Sequence, residues 1–174
     1  MKFFSTMLSM LVLILASDWP ADGQDATAAE PAAKPAAASG CAQVSDNDKQ
    51  MDRAVENAQR NLAFFIAALR AKKSGDTVFE IKKGFIDGNN VEHLWVKEVT
   101  YDGKKFHGKI DNQPLEVKNA HAGARVTVSP EEVVDWMFLK DGKLIGGYTT
   151  RVLYARLTPE EKAEFDKRAE FQIK

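Results

Sequence analysis

The 174-residue sequence holds one cysteine, Cys41. A lone cysteine builds no internal disulfide, so stability must come from a packed core. Histidine is almost as scarce, with His93, His107 and His121 the only three. No two of them have the close spacing of metal ligands on one helix or strand, and Cys41 is distant in sequence. No metal and no cofactor are therefore expected. An excess of one charge is also missing, with 24 Lys plus Arg against 25 Asp plus Glu. Such a balance offers no strong field to nucleic acid or an anionic membrane. The pair Gly146-Gly147 lacks the lysine of a phosphate loop, and no nucleophile-elbow pattern occurs. Long apolar runs are absent as well. Phe3 to Ala16 is broken by Ser5, Thr6 and Ser9, and it falls short of the roughly 20 residues that span a bilayer.

That short run follows Lys2 and precedes Ser17-Asp18. Residues 1–23 thus have the pattern of a secretory signal peptide, cleaved after Ala16 or near Gly23-Gln24. The rival reading is an uncleaved anchor. The expected location is periplasmic or secreted, with no membrane span left after cleavage. Residues 24–44 are rich in Ala and Pro, with Pro31 and Pro35 interrupting any helix nucleus. A segment this poor in large apolar groups is expected to be a disordered linker. Ala38-Ser39-Gly40-Cys41 faintly resembles a lipoprotein attachment site. It lacks the leucine-like first residue and lies far from the apolar run, so an inert thiol is the simpler reading.

Residues 45–174 read as one domain. Ser45 or Asp46 can cap a long helix whose apolar face is Met51, Val55, Ala58, Leu62, Phe65, Ile66 and Leu69. Ser74-Gly75 is expected to stop it. The period then changes to that of strands. Thr77–Ile86, Val91–Tyr101 and Lys104–Asp111 form a meander. A two-residue turn at Asp102-Gly103 would set Trp95, Val99, Tyr101, Phe106 and Ile110 on one face. It would also place His107 opposite Glu98 and His93 opposite Asn112. To keep Phe79 and Ile81 on that same face, the first hairpin would need a three-residue turn with a bulge. Ala124–Ser129 is a fourth strand, and Glu132–Lys140 with Lys143–Gly146 form a last hairpin across Asp141-Gly142. Two short helices follow, the second opened by the capping sequence Thr158-Pro159-Glu160-Glu161. The expected fold is α+β: a bent antiparallel sheet of five or six strands, a long N-terminal helix packed on it, and short C-terminal helices.

Five stretches carry a resemblance: Phe79-Glu80-Ile81-Lys82, Val91 to Val96, Gly108 to Pro114, Val134-Asp135-Trp136-Met137 and Gly146 to Arg151. In this order they resemble the bacterial domain of unknown function 2314, the YegJ-like family. The resemblance implies an exported α+β domain and assigns no catalytic or ligand residue.

The residues most open to a functional reading cluster where the last hairpin meets its helix: Asp135, Trp136, Gly147, Tyr148 and Arg151. The hairpin register sets Asp135 opposite Tyr148 and Trp136 opposite Gly147. Asp135 shares an apolar row with Val133, Met137 and Leu139, and a carboxylate there needs a partner or it neutralises. It reads either as a recognition carboxylate or as a hydrogen-bonded staple bonded to Arg151, Tyr148 or a backbone amide. Trp136 opposite glycine either covers backbone or borders a ligand groove. Glu92, His93 and Trp95 are secondary candidates, Trp95 fitting the core. The leading function is a monomeric, non-catalytic binding module for an unknown protein or small molecule. One rival is a hydrolase-like enzyme using Asp135, His93 and Thr149, which must bring His93 to a carboxylate or hydroxyl in a pocket. Another is a protein-partner inhibitor or immunity-type factor, which should expose an apolar patch.

Overall fold

The computed structural model describes residues 40–169, Phe171 and Ile173. The expected signal peptide and most of the linker lie outside the described residues. The first helix, α1 (Gly40–Arg60), starts ahead of Ser45, so Ser45 and Asp46 lie inside it and do not cap it. Asn61 interrupts the helical run, and α2 (Leu62–Ala71) continues it. Lys72, in the left-handed conformation, ends α2 before Ser74-Gly75 is reached. Of the expected apolar face, Ala58, Leu62, Phe65 and Leu69 are buried and Met51, Val55 and Ile66 half-buried, while Ala54, outside that face, is buried too. No helix among the described residues is long and apolar enough to cross a membrane.

Six strands follow: β1 (Asp76–Asp87), β2 (Asn90–Tyr101), β3 (Phe106–Ile110), β4 (Arg125–Val128), β5 (Val133–Lys140) and β6 (Lys143–Gly146). They form one antiparallel sheet in the order β4-β3-β2-β1-β5-β6. The chain closes with α3 (Tyr148–Arg156) and α4 (Pro159–Arg168). Thr158 and Glu161 cap α4 reciprocally.

Both sheet faces are covered, which explains the apolar residues on both sides of β5. The helices pack on one face, over Ile81, Val96, Val99, Phe106, Trp136 and Phe138. The other face buries Trp95, Met137, Leu139 and Leu144 under Phe171 and Ile173. A third cluster joins Leu94 and Ile110 to Val117 and Ala120 of the 111–124 connection.

Three register expectations are corrected. The β1–β2 turn is Gly88-Asn89, two residues long, with Asp87 opposite Asn90 and no bulge along that ladder. The β2–β3 loop has four residues, Asp102 to Lys105, since Tyr101 pairs with Phe106. Asp102 Oδ1 accepts from the Lys104 and Lys105 amides and closes that loop. β2 also carries an extra residue between Lys97 and Thr100. Trp95 therefore leaves the face of Val99 and Phe106 and turns to the opposite core. His107 pairs with Thr100, not Glu98, and the β2–β3 ladder ends at Val96–Ile110, short of His93, which pairs with Gly84 on its other side. A one-residue slip exchanges the faces of a whole strand, so these errors were coupled. On β5, Val134 is an extra residue between Asp135 (opposite Lys82) and Val133 (opposite Lys83). This bulge moves Val133 to the helix side, away from the row of Asp135 and Met137.

Candidate functional site

The Asp135 cluster forms where the sequence locates it. Gly146 and Gly147 have φ of +76° and +63°, a left-handed pair that turns β6 into α3. A Cβ on Gly146 would stand 2.3 Å from the Trp136 carbonyl oxygen and 2.6 Å from its ring. The indole thus lies against Gly146 and leaves no groove there. Trp136 is buried, donates from Nε1 to the Ala58 carbonyl at 2.8 Å, and meets Tyr148 edge-on at 5.5 Å. The Gly147 amide donates to the Trp136 carbonyl at 2.8 Å, extending the hairpin register by one rung.

Asp135 is fully buried. Its Oδ1 accepts from the amides of Trp136 (2.8 Å) and Tyr148 (3.0 Å). Its Oδ2 accepts from the Thr149 amide (2.8 Å) and hydroxyl (2.5 Å). Lys82, the cross-strand neighbour, donates to the same hydroxyl at 2.8 Å, and its ammonium lies 4.4 Å from the Trp95 ring centre. Burial pulls Lys82 down to about 8, against the opposing pull of Asp135. Arg151 bonds the carbonyls of Gly146 (2.9 Å) and Leu144 (2.8 Å), bracing the turn. Every Asp135 oxygen is engaged by the fold itself, so the chemistry available to this group is that of a staple.

The secondary candidates divide. Glu92 clasps the amides of Leu115, Glu116 and Val117, tying down the connection after β3. Desolvation opposes its charge, but those amides together hold it below the ordinary value. His93 lies across Gly84, and no described hydroxyl or carboxylate hydrogen-bonds its ring. Desolvation, then the Lys82 charge, lowers its pKa. The His93–Asp135–Thr149 arrangement that hydrolysis would require is not assembled. Among the described residues no group of three or more metal-ligating side chains occurs.

A separate feature is built for access. β1 and β2 pair from Asp87–Asn90 to Ile81–Val96, and their ladder stops there. Beyond that rung β1 follows β5, while β2 follows β3. The sheet therefore forks. Each departing strand carries one extra residue and one non-glycine residue in left-handed backbone, Val78 (φ +52°) and Glu98 (φ +54°). That conformation is costly for a β-branched side chain. Between the arms lies a cleft of about 790 Å³, within the size range of ligand sites. Leu69, Phe79 and Val99 line it on the helix side, with Glu80, Lys97 and Leu139 on the other. Glu80 is buried, and its Oε2 has no hydrogen-bond partner among the described residues. Burial first, then the neighbouring Asp111, pushes Glu80 up to about 8, with Lys97 opposing. Lys97 pairs with Asp111 at 2.5 Å. Glu80, Lys82, Lys97 and Glu98 are not legible as site residues in the sequence. Alternation reads Glu80 and Lys82 as solvent-facing, and only the cover on the second face buries them. Alternation sets Lys97 in the row of Trp95 and Val99, and Glu98 stays exposed at its bulge.

Comparison with known proteins adds the family. The model of an uncharacterised protein family conserved in bacteria, DUF2314, matches residues 48–173. The chain belongs to the DUF2314 family. The Uncharacterized protein YegJ of Escherichia coli K12 is 36% identical over 118 residues, which cover 67% of this chain and 76% of that protein. A Neisseria meningitidis serogroup B protein, provisionally named an ankyrin repeat protein, is 30% identical over 131 residues. That match covers 71% of this chain and 52% of its relative, so the chain spans about half the length of the Neisseria protein. No solved structure matches significantly. The DUF2314 match takes in both the fork and the Asp135 staple, since both lie within residues 48–173.

Proposed function

We propose that this DUF2314 chain is an exported, non-catalytic binding module whose site is the cleft between β1 and β2. The observation that carries the reading is the fork itself. Two strands leave a shared ladder at Ile81–Val96, each through a strained left-handed residue, and open beside buried Glu80, whose Oε2 has no hydrogen-bond partner among the described residues. Strained backbone and an unsatisfied buried polar atom cost stability, and both concentrate at sites of function. Asp135 lends no support to a hydrolase, because its oxygens are spent on amides and the Thr149 hydroxyl. Export is supported by Lys2, the apolar run to Ala16 and the polar residues after it.

Two experiments test this reading. A fusion of residues 1–44 to alkaline phosphatase, which is active only after export, should give active enzyme, and inactive fusion protein would overturn the export claim. The purified chain should show thermal stabilisation by some members of a broad small-molecule and peptide screen, lost in Val78→Arg. A screen with no such ligand, or ligands indifferent to Val78→Arg, would overturn the site. One observation favours a protein-partner role alongside it: Ile86, Val91 and Leu115 expose apolar side chains at or beside the tip of the β1–β2 hairpin.

A further inference from the structure

We propose that the occupant of the cleft is an extended peptide segment of another polypeptide, which adds as a strand between β1 and β2. The inference rests on the binding-site reading and names its ligand class. Three features of the cleft carry it.

The first is the main chain. Past the Ile81–Val96 rung, no strand among the described residues lies between the edges of β1 and β2 that would have faced each other. Each arm keeps its outer neighbour, β5 or β3. Open strand edges are templates for another extended chain. Thr77–Glu80 and Lys97–Thr100 give four residues on each arm, roughly 13 Å of extended chain. β1 and β2 run antiparallel, so an inserted strand would lie parallel to one arm and antiparallel to the other.

The second is the pair of bulges. An arm that had lost its partner by chance needs no strain on the opposite arm. Here both arms bend, at Val78 and at Glu98, and bulges are devices that end pairing and redirect a strand.

The third is the contrast between the walls. Leu69, Phe79 and Val99 offer an apolar wall, while Glu80 and Lys97 offer a polar one. Side chains of an inserted strand alternate between the two, so the matching sequence alternates apolar and polar residues.

The test uses random heptapeptides displayed on phage, selected on the full chain. Recovered peptides are expected to alternate apolar and polar residues. A synthetic peptide so selected should bind at least tenfold more weakly once its alternate backbone nitrogens are methylated. Methylation removes main-chain donors and leaves the side chains, so it separates strand addition from pocket filling. Binding should also weaken at least tenfold in Val78→Arg, whose fold is checked by its amide spectrum. Binding that tolerates methylation of either alternate set overturns strand addition while leaving the cleft as a site. Recovery of no peptide, with small molecules still binding at the cleft, has the same meaning. Failure of both classes of ligand overturns the binding reading too.

Discussion

Lys82 and Asp135 are cross-strand neighbours that share one hydroxyl: Thr149 accepts from the ammonium at 2.8 Å and donates to the carboxylate at 2.5 Å. The chain of three links β1, β5 and the first turn of α3. Removing Asp135 leaves the Lys82 ammonium buried without its counterion, which costs about 3–5 kcal/mol. Asp135→Ala should lose at least that much, because the Trp136, Tyr148 and Thr149 amides are stranded as well. Lys82→Met should cost less than Asp135→Ala, because burial already outweighs the Asp135 attraction at the ammonium. Urea denaturation measures both, and stability unchanged within about 0.5 kcal/mol would remove the staple.

Glu80 makes stability depend on pH. Its native value near 8 lies above the ordinary 4.5, so the native state holds the proton that the unfolded state releases. Stability should therefore be fullest below about pH 4.5 and fall as pH rises toward 8. At about 1.4 kcal/mol per pH decade, the loss reaches at most about 5 kcal/mol. Glu80→Gln keeps the shape and removes the proton, so its stability should not decline across that window. A parallel decline in the variant would contradict this assignment.

Lys82 acts in the opposite direction and higher up. Its native value near 8 lies below the ordinary 10.5, so the unfolded state holds more protons between the two. The Lys82 contribution to stability should rise from pH 8 to 10.5. With Glu80 falling toward pH 8, these two groups together place a minimum near pH 8. Thermal unfolding in steps of pH, for the native chain and for Glu80→Gln, separates the two limbs.

The glycine turn has no room for a side chain. Gly146→Ala would drive Cβ to 2.3 Å from the Trp136 carbonyl oxygen at a φ of +76°. The backbone strain alone is worth about 1–2 kcal/mol, and displacing Trp136 from the Ala58 carbonyl adds to it. A loss above about 2 kcal/mol is expected. Trp136→Phe, which gives up that hydrogen bond and part of the ring but keeps an aromatic, should cost less than Gly146→Ala. Chemical denaturation of both variants checks the order.

Much of this fold is legible in local chemistry. Asp141-Gly142 gives the register of the last hairpin, and that register brings Asp135 to Tyr148 and Trp136 to Gly147. Thr158 and Glu161 mark the start of α4, and the spacing from Ala58 to Leu69 marks the buried helix face. The rest depends on events without a local mark. Val78, Glu98 and Val134 are bulge residues with no glycine to announce them. Each breaks the alternation between the residues on its two sides, which is why Trp95, before Glu98, and Val133, before Val134, lie on faces that simple alternation does not give them. Lys82 and Glu80 look solvent-facing because their burial depends on residues far along the chain, Thr149 and Trp95 for the first and Asp111 with its neighbours for the second. The cleft is less legible still, since it arises from where a ladder stops.

The most direct measurement of the central claim maps ligand contacts onto backbone amides. The isotope-labelled chain is titrated with a mixed library of small fragments and short peptides, and the amide shifts are followed residue by residue. The account predicts that perturbations concentrate on Thr77–Glu80 and Lys97–Thr100, with the Asp135, Tyr148 and Thr149 amides unmoved. Perturbations centred on Asp135, His93 and Thr149, with the cleft amides silent, would contradict it.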